Sequence, residues 1–271
     1  MRANRIESTR AWYGFLVLAL PLASNLVVAA TSVAAPEPVP PGATKTVTGQ
    51  RPDFRFQAPR GRFGVRGGWT FNRADGEIFD FLTGMLTLER SNFNAPTFAA
   101  DLGWGVSDRV DLLVGVEYSR SSKRSEFRDY VDQNDIPIVQ DTHLTQVPLT
   151  VSLKLYLASP GRRVGQYAWV PATVVPYIGG GGGFTYYKLE QSGDFVDFVD
   201  LIIFEDVFES SGWTAAAHAF AGVDIRLNSS LGLILEGRYQ WANADLRGSF
   251  LGFAPIDLNG ARAMAGVNWK F

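Results

Sequence analysis

From Arg62 onward, apolar and polar residues alternate with a period of two, the spacing of strands with one oily and one polar face. Eight such segments are visible, at about 62–73, 96–107, 110–121, 143–158, 173–189, 212–227, 231–246 and 256–271. In the third, Val110, Leu112, Val114, Val116 and Tyr118 share one face and Asp111, Gly115, Glu117 and Ser119 the other. The fourth sets Val147, Leu149, Val151, Leu153, Leu155 and Leu157 against Thr150, Ser152 and Lys154. In the seventh, Leu231, Leu233, Leu235, Tyr239 and Trp241 oppose Glu236, Arg238 and Gln240. The eighth sets Ala261, Ala263, Ala265, Val267, Trp269 and Phe271 against Arg262, Asn268 and Lys270. Only the fifth is ambiguous, because Pro176 and Gly179 to Gly183 blur both faces.

Such strands suit a soluble sandwich or lipocalin-like barrel with the apolar face inward, or a transmembrane barrel with that face on lipid. Three features favour the second. Each segment meets or exceeds the roughly 9–11 residues a tilted strand needs to cross a bilayer. Rings gather at segment ends (Trp104, Tyr118, Trp213, Tyr239, Trp241, Trp269, Phe271) around aliphatic middles, as expected of girdles at the two headgroup layers. Tight turns at 107–109 and 228–230 alternate with long gaps at 74–95, 122–142, 190–211 and 247–255, the pattern of short periplasmic turns and long external loops. The segment 159–172, too long for a turn, departs from it. The predicted fold is all-β: an eight-stranded antiparallel up-and-down transmembrane β-barrel over 61–271.

Before it, Arg2, Arg5 and Arg10 precede an uncharged apolar run and small residues up to Ala35, the order of a secretory signal peptide over 1–35. Cleavage fits after Ala30 or Ala34, and Pro21, Ser24 and Asn25 argue against an uncleaved anchor. The Pro-rich stretch 36–60 reads as a disordered periplasmic leader. Of the 271 residues, 46% are hydrophobic and 19% charged, with 19 Phe, 9 Tyr and 7 Trp, enough to offset the entropy of ordering. The absence of cysteine excludes disulfides and thiolate chemistry, and a net charge of −2 offers no surface for nucleic acid.

A signal peptide, amphipathic strands and a terminal Trp269-Lys270-Phe271 together resemble the small outer-membrane β-barrel proteins, of the OmpA transmembrane type. Val175-Pro176-Tyr177-Ile178-Gly179 with the glycines through Gly183 is similar to a Pro-Tyr-x-Gly-x-Gly strand of that superfamily. The resemblance covers about 61–271. It implies a bacterial outer-membrane location, both termini periplasmic, contact with outer-membrane lipid and lipopolysaccharide, and Trp269 and Phe271 as the signal read by the barrel-assembly machinery. It implies no cofactor, and names no external ligand. A peptidoglycan-binding domain often follows such barrels; none is expected here.

Eight strands leave an interior just wide enough for side chains to fill. Inward parity places Arg66, Asp101, Asp111, Glu117, Lys154, Asp224, Arg226, Glu236, Arg238, Arg262 and Lys270 in it. Charges of both signs there would form a paired network sealing the lumen, with a gated, charge-lined pore as the alternative. Gly179 to Gly183 lack the Lys-Ser/Thr and helix of a phosphate loop, and instead let rings and neighbouring backbone approach. His218 falls on the inward parity. His143 follows Asp141 on the outward parity with Ser122 across the hairpin, weak catalytic candidates for a lipid A deacylase, in which the imidazole would take the serine proton. Loop 190–211 is acidic and aromatic, and Asp194, Asp197 and Asp200 are weak candidates for a hard divalent cation, without EF-hand spacing. Its apolar residues, like those of 77–88, need burial, so the two loops are expected to pack together as an external cap. The function expected is non-enzymatic, structural or surface-interacting; the alternatives are a passive channel or hydrophobic-solute conduit, or a lipid A-modifying enzyme.

Overall fold

The computed structural model describes residues 55–165 and 168–271, and the backbone of Asn4–Arg5, which lies antiparallel to Tyr130 and Val131. Apart from that pairing, the signal peptide and residues 36–54 of the leader expected from the sequence lie outside the described residues.

Eight long strands carry the fold: β1 (Gly61–Asn72), β2 (Ala95–Gly105), β3 (Val110–Val131), β4 (Pro137–Tyr156), β5 (Val174–Val196), β6 (Ile203–Arg226), β7 (Leu231–Ala244) and β8 (Gly260–Lys270). Each pairs antiparallel with its sequence neighbour. Strand β8 then pairs with β1 from Lys270↔Arg62 to Gly260↔Asn72, which closes the ring and abolishes its edges. The single α-helix among the described residues, α1 (Glu77–Met85), sits in the connection between β1 and β2.

One end has tight turns. At the first, the Val106 and Ser107 amides donate to the Val110 carbonyl; at the second, Leu227 and Asn228 donate to Leu231, and Asn228 Oδ1 accepts from Ser230 and Leu231. The 159–172 connection is a small hairpin, Gly161–Val164 against Ala168–Pro171. The other end differs from expectation. The supposed loops 122–142 and 190–211 are the strands themselves, continuing as hairpins whose turns lie near 132–136 and 197–202. Outward positions there turn polar (Ser122, Asp141, Lys188, Glu190), which ended the oily stripe but not the backbone pairing. Conversely, 256–259 does not belong to β8: Ile256–Asp257 forms a short strand beside Asn243 and Ala244 of β7.

Over the middle of every strand the apolar parity faces out. Phe98, Phe184, Leu153 and Val151 are 63%, 60%, 55% and 52% exposed, while Glu117, Lys154 and Glu236 on the other parity are 3–5% exposed. In water this arrangement would expose a continuous oily wall and bury charges; lipid outside reconciles it. From Leu231 to Trp241, roughly ten steps of about 3.3 Å at a tilt near 40° give about 25 Å along the barrel axis, the height of a lipid-facing band. Phe63, Trp104 and Trp269 ring the tight-turn end of this band, and Tyr118, Tyr186, Trp213 and Trp241 the other.

Gly179 illustrates the local cost of such a wall. A Cβ there would run into the Phe220 ring and the Leu153 carbonyl, so only glycine lets β5 curve against β4 with that ring over it.

Candidate functional site: the lumen and the two ends of the barrel

At mid-barrel, three guanidinium groups and three carboxylates interlock. Arg66 reaches Glu236 at 3.0 Å and Asp101 at 3.5 Å. Arg238 binds Glu117 and, at 3.0 Å, Glu236. Arg262 meets Glu117 at 3.3 Å and donates to Gln240 at 3.0 Å. The Tyr177 hydroxyl donates to Glu236 Oε2 at 2.9 Å. These residues come from β1, β2, β3, β5, β7 and β8, so the network ties the ring across its diameter. Charge is balanced three against three, the condition under which buried ions are tolerable. A cavity of about 10 Å³ lies among Arg66, Asp101, Glu117, Thr150 and Arg238, about the least that admits one water.

Toward the tight-turn end lies a second cluster. Lys154 bridges both oxygens of Asp224 at 3.1 Å. Arg62 pairs with Asp111 and stands 3.8 Å from Asp224, and Lys270 is 4.0 Å from Asp224. The Tyr156 hydroxyl donates to Asp111 at 2.9 Å, and Lys154 Nζ lies 3.4 Å from the Tyr177 ring centre. Here three cations share two carboxylates. His218 stands in register with Gln240, its Nε2 2.8 Å from Ser152 Oγ.

Beyond the membrane band at the long-hairpin end, the inward face loses its charges and an apolar cluster forms beside uncharged Thr142, Gln140 and Gln191. Leu144, Tyr187, Leu189, Ala242 and Ala244 point into a cluster with Ile78, Phe79 and Leu82 of α1, Leu86, Leu88 and Phe93 behind it, and Leu246, Phe250, Ile256 and Leu258 from the β7–β8 connection. Phe79 and Phe93 meet edge to face at 4.7 Å. Glu77 accepts the Ala254 amide at 2.9 Å, joining the helix to that connection, and Arg128 of β3 donates to the Leu86 carbonyl at 2.6 Å. A cap therefore exists, and loop 190–211 joins it through Phe208, which packs on the cluster around α1, but most of its partners differ from expectation. Segment 77–88 packs chiefly on 246–258 and the strand interiors, whereas 195–204 packs on the β3–β4 hairpin, with Phe198 5.9 Å from Tyr130 and 6.5 Å from Phe127. Alternation assigns the apolar residues of 246–258 to two strand ends and a short gap, which hides their share of the cap.

Of the eleven charges that parity assigns to the lumen, ten (Arg66, Asp101, Asp111, Glu117, Lys154, Asp224, Glu236, Arg238, Arg262 and Lys270) carry ion pairs on the inner side of the ring. Arg226 ends β6 and is partly buried. The sequence reading missed Arg62, although it lies on the parity of Arg66, and missed Tyr177, whose glycine-rich strand blurred the faces.

The outward candidates do not assemble. Ser122 is in register with His143 as expected, but Asp141 pairs in register with Arg124 and Ser192. His143 Nδ1 has no hydrogen-bond partner, so no carboxylate orients the ring through it. Glu190, in register with His143 on the other side, is held by Lys188 at 2.5 Å. Nor do Asp194, Asp197 and Asp200 converge: no cluster of three or more metal-ligating side chains occurs among the described residues. Asp197 instead accepts the Val199 amide at 2.8 Å and organises its own turn. Trp269 and Phe271 end β8 exposed on the outer face.

No family model and no curated protein matches the chain. Among solved structures, it is similar to the N-terminal β-barrel domain of Pseudomonas aeruginosa OprF (12% identity, 79% of this chain, 100% of that one, TM-score 0.33). It is also similar to Neisserial surface protein A (12%, 78% and 96%, 0.42) and to the attachment invasion locus protein Ail of Yersinia pestis (12%, 78% and 99%, 0.40). The likeness is of fold alone, and the barrel stands on its own closed ring of strands.

Proposed function

We propose that this chain is a bacterial outer-membrane barrel with a structural or surface-interacting role, non-enzymatic, whose lumen is closed to ions. One observation carries the reading: a charge-balanced network with a cavity of about 10 Å³ lies in series with an apolar cap. A path for ions would have to break both, and each is the kind of packing that opens only at a cost of several kcal/mol. The lipid-facing band supports membrane residence, and the signal-like N-terminus expected from the sequence supports export. Outer-membrane lipid and lipopolysaccharide are the proposed surroundings of the band. The exposed Trp269 and Phe271 at the strand terminus are the proposed signal for the assembly machinery. The unoriented His143 supports a protein without hydrolase activity.

The test is conductance in planar bilayers, with barrel and location checked by heat-modifiable gel migration after outer-membrane fractionation. The expected record is flat. Ion steps that disappear on charge reversal at Glu117 or Arg238 would overturn the closed lumen. Lipid A from cells carrying His143→Ala and the parent is expected to give identical mass profiles; a product missing only in the variant would overturn the non-enzymatic reading.

A further inference from the structure

The tight-turn end of the barrel encloses a cavity of about 870 Å³ that the sealed lumen above does not explain. Its floor is made by Arg62, Asp111, Tyr156 and Lys270, and its walls by the segment 56–60, the turn at 105–108, and residues 159–163 and 168–169. The two wall pieces are tied to each other. Arg55 and Trp169 exchange backbone hydrogen bonds at 3.0 and 2.7 Å, and the Arg55 guanidinium donates to the Lys270 carbonyl. A roof thus spans the mouth beneath the lumen.

Charge distinguishes this place from mid-barrel. Arg60, Arg62, Arg163 and Lys270 line the cavity against Asp108 and Asp111. Arg62 is paired with Asp111, and Asp224, one layer deeper, is already bridged by Lys154 at 3.1 Å, so it has little left for Lys270 at 4.0 Å. The Phe271 carbonyl oxygen accepts the Arg60 and Gly61 amides, and Phe271 is not part of the lining. A chain that balances its ions where the lumen is closed leaves an excess of cations where it is open. Clustered cations on low-dielectric walls concentrate anions, and guanidinium forks match the oxygens of phosphate groups.

We propose that this cavity is a binding site for small solutes bearing a multivalent oxyanion group, a phosphate ester or pyrophosphate, with Arg62 and Lys270 at its floor and Arg60 and Arg163 at its rim. The site is independent of whether the lumen conducts. Its test is calorimetric titration of the detergent-solubilised full chain with inorganic pyrophosphate at low ionic strength. Variants Arg60→Ser and Arg163→Ser remove rim cations while leaving the lumen pairs intact, and heat-modifiable migration verifies that they fold. Arg90→Ser, at the other end of the barrel, is the control. Saturable binding is expected, weakened about three- to tenfold by each rim variant, unchanged in the control, and lost in high salt. Pyrophosphate is also expected to slow tryptic cleavage after Arg163 in the parent. Absence of saturable heat, or equal affinity in the rim variants and the control, would overturn the proposal.

Discussion

The inside of this barrel has two chemistries on one parity. In β7, Glu236, Arg238 and Gln240 point inward at membrane height, and Ala242 and Ala244, with Leu246 just after the strand, lie in the apolar cluster beyond it. The outward positions change in the opposite sense, from Leu233, Leu235 and Trp241 to Asn243 and Asp245. In strand β4 the inward charge of Lys154 likewise gives way to Leu144 and Ile138, interleaved with the uncharged Gln146, Thr142 and Gln140, and Leu149 and Val147 give way outside to His143 and Asp141. The lower part is therefore organised for lipid and the upper part like a soluble protein, within single strands. The surroundings set the sense of the fold: where hydrocarbon surrounds the sheet, the outer face supplies the apolar contact and the interior holds ions, and where water does, the core becomes oily again.

The comparison breaks most visibly in the lower part. Arg238→Met would leave Glu117 and Glu236 short of a shared partner in a closed interior, with an expected loss of about 3–5 kcal/mol in urea unfolding from lipid or detergent. In the upper part, Leu82→Ala should cost about 2–5 kcal/mol of cap stability. That loss should appear as faster proteolysis within 74–93 while the barrel keeps its heat-modifiable migration. The boundary between the two regimes is sharpened by one substitution made twice on the outer face. Leu235→Arg is expected to destabilise by about 2–4 kcal/mol and Asn243→Arg by about 0–1; equal costs would mean that the lipid edge is misplaced.

The smallest effect concerns the polar ties over the cap. Hydrogen bonds from Arg90, then the Gly76 amide, hold the exposed Asp75 carboxyl below the usual carboxylate range. A depressed carboxyl stabilises the fold at pH values above its unfolded pKa, and that contribution is lost as pH falls through the folded value. The difference between parent and Asp75→Asn, read from the near-ultraviolet dichroism of the cap in urea, should be present at neutral pH and vanish in acid. A difference that persists in acid would detach it from this carboxyl.

Period-two alternation over Val110 to Tyr118 and Leu231 to Trp241 determined those strands, their faces and most of the lumen charges, because parity alone decides the side of a sheet. Rings at the stripe ends located the band. What alternation cannot carry is where a strand stops once its outer face becomes polar, so β3 to β6 run well past the predicted ends. Nor can it say which inward charges meet across the ring. Arg66 from β1 and Glu236 from β7 are separated by 170 positions and touch because β8 joins the two ends. The cap partnership of α1 with 246–258 has the same origin: both connections leave strands that flank β8, so closure of the ring brings them over one mouth. Local pattern follows from each residue's solvent preference, whereas partners across a barrel are set by the order and register in which it closes.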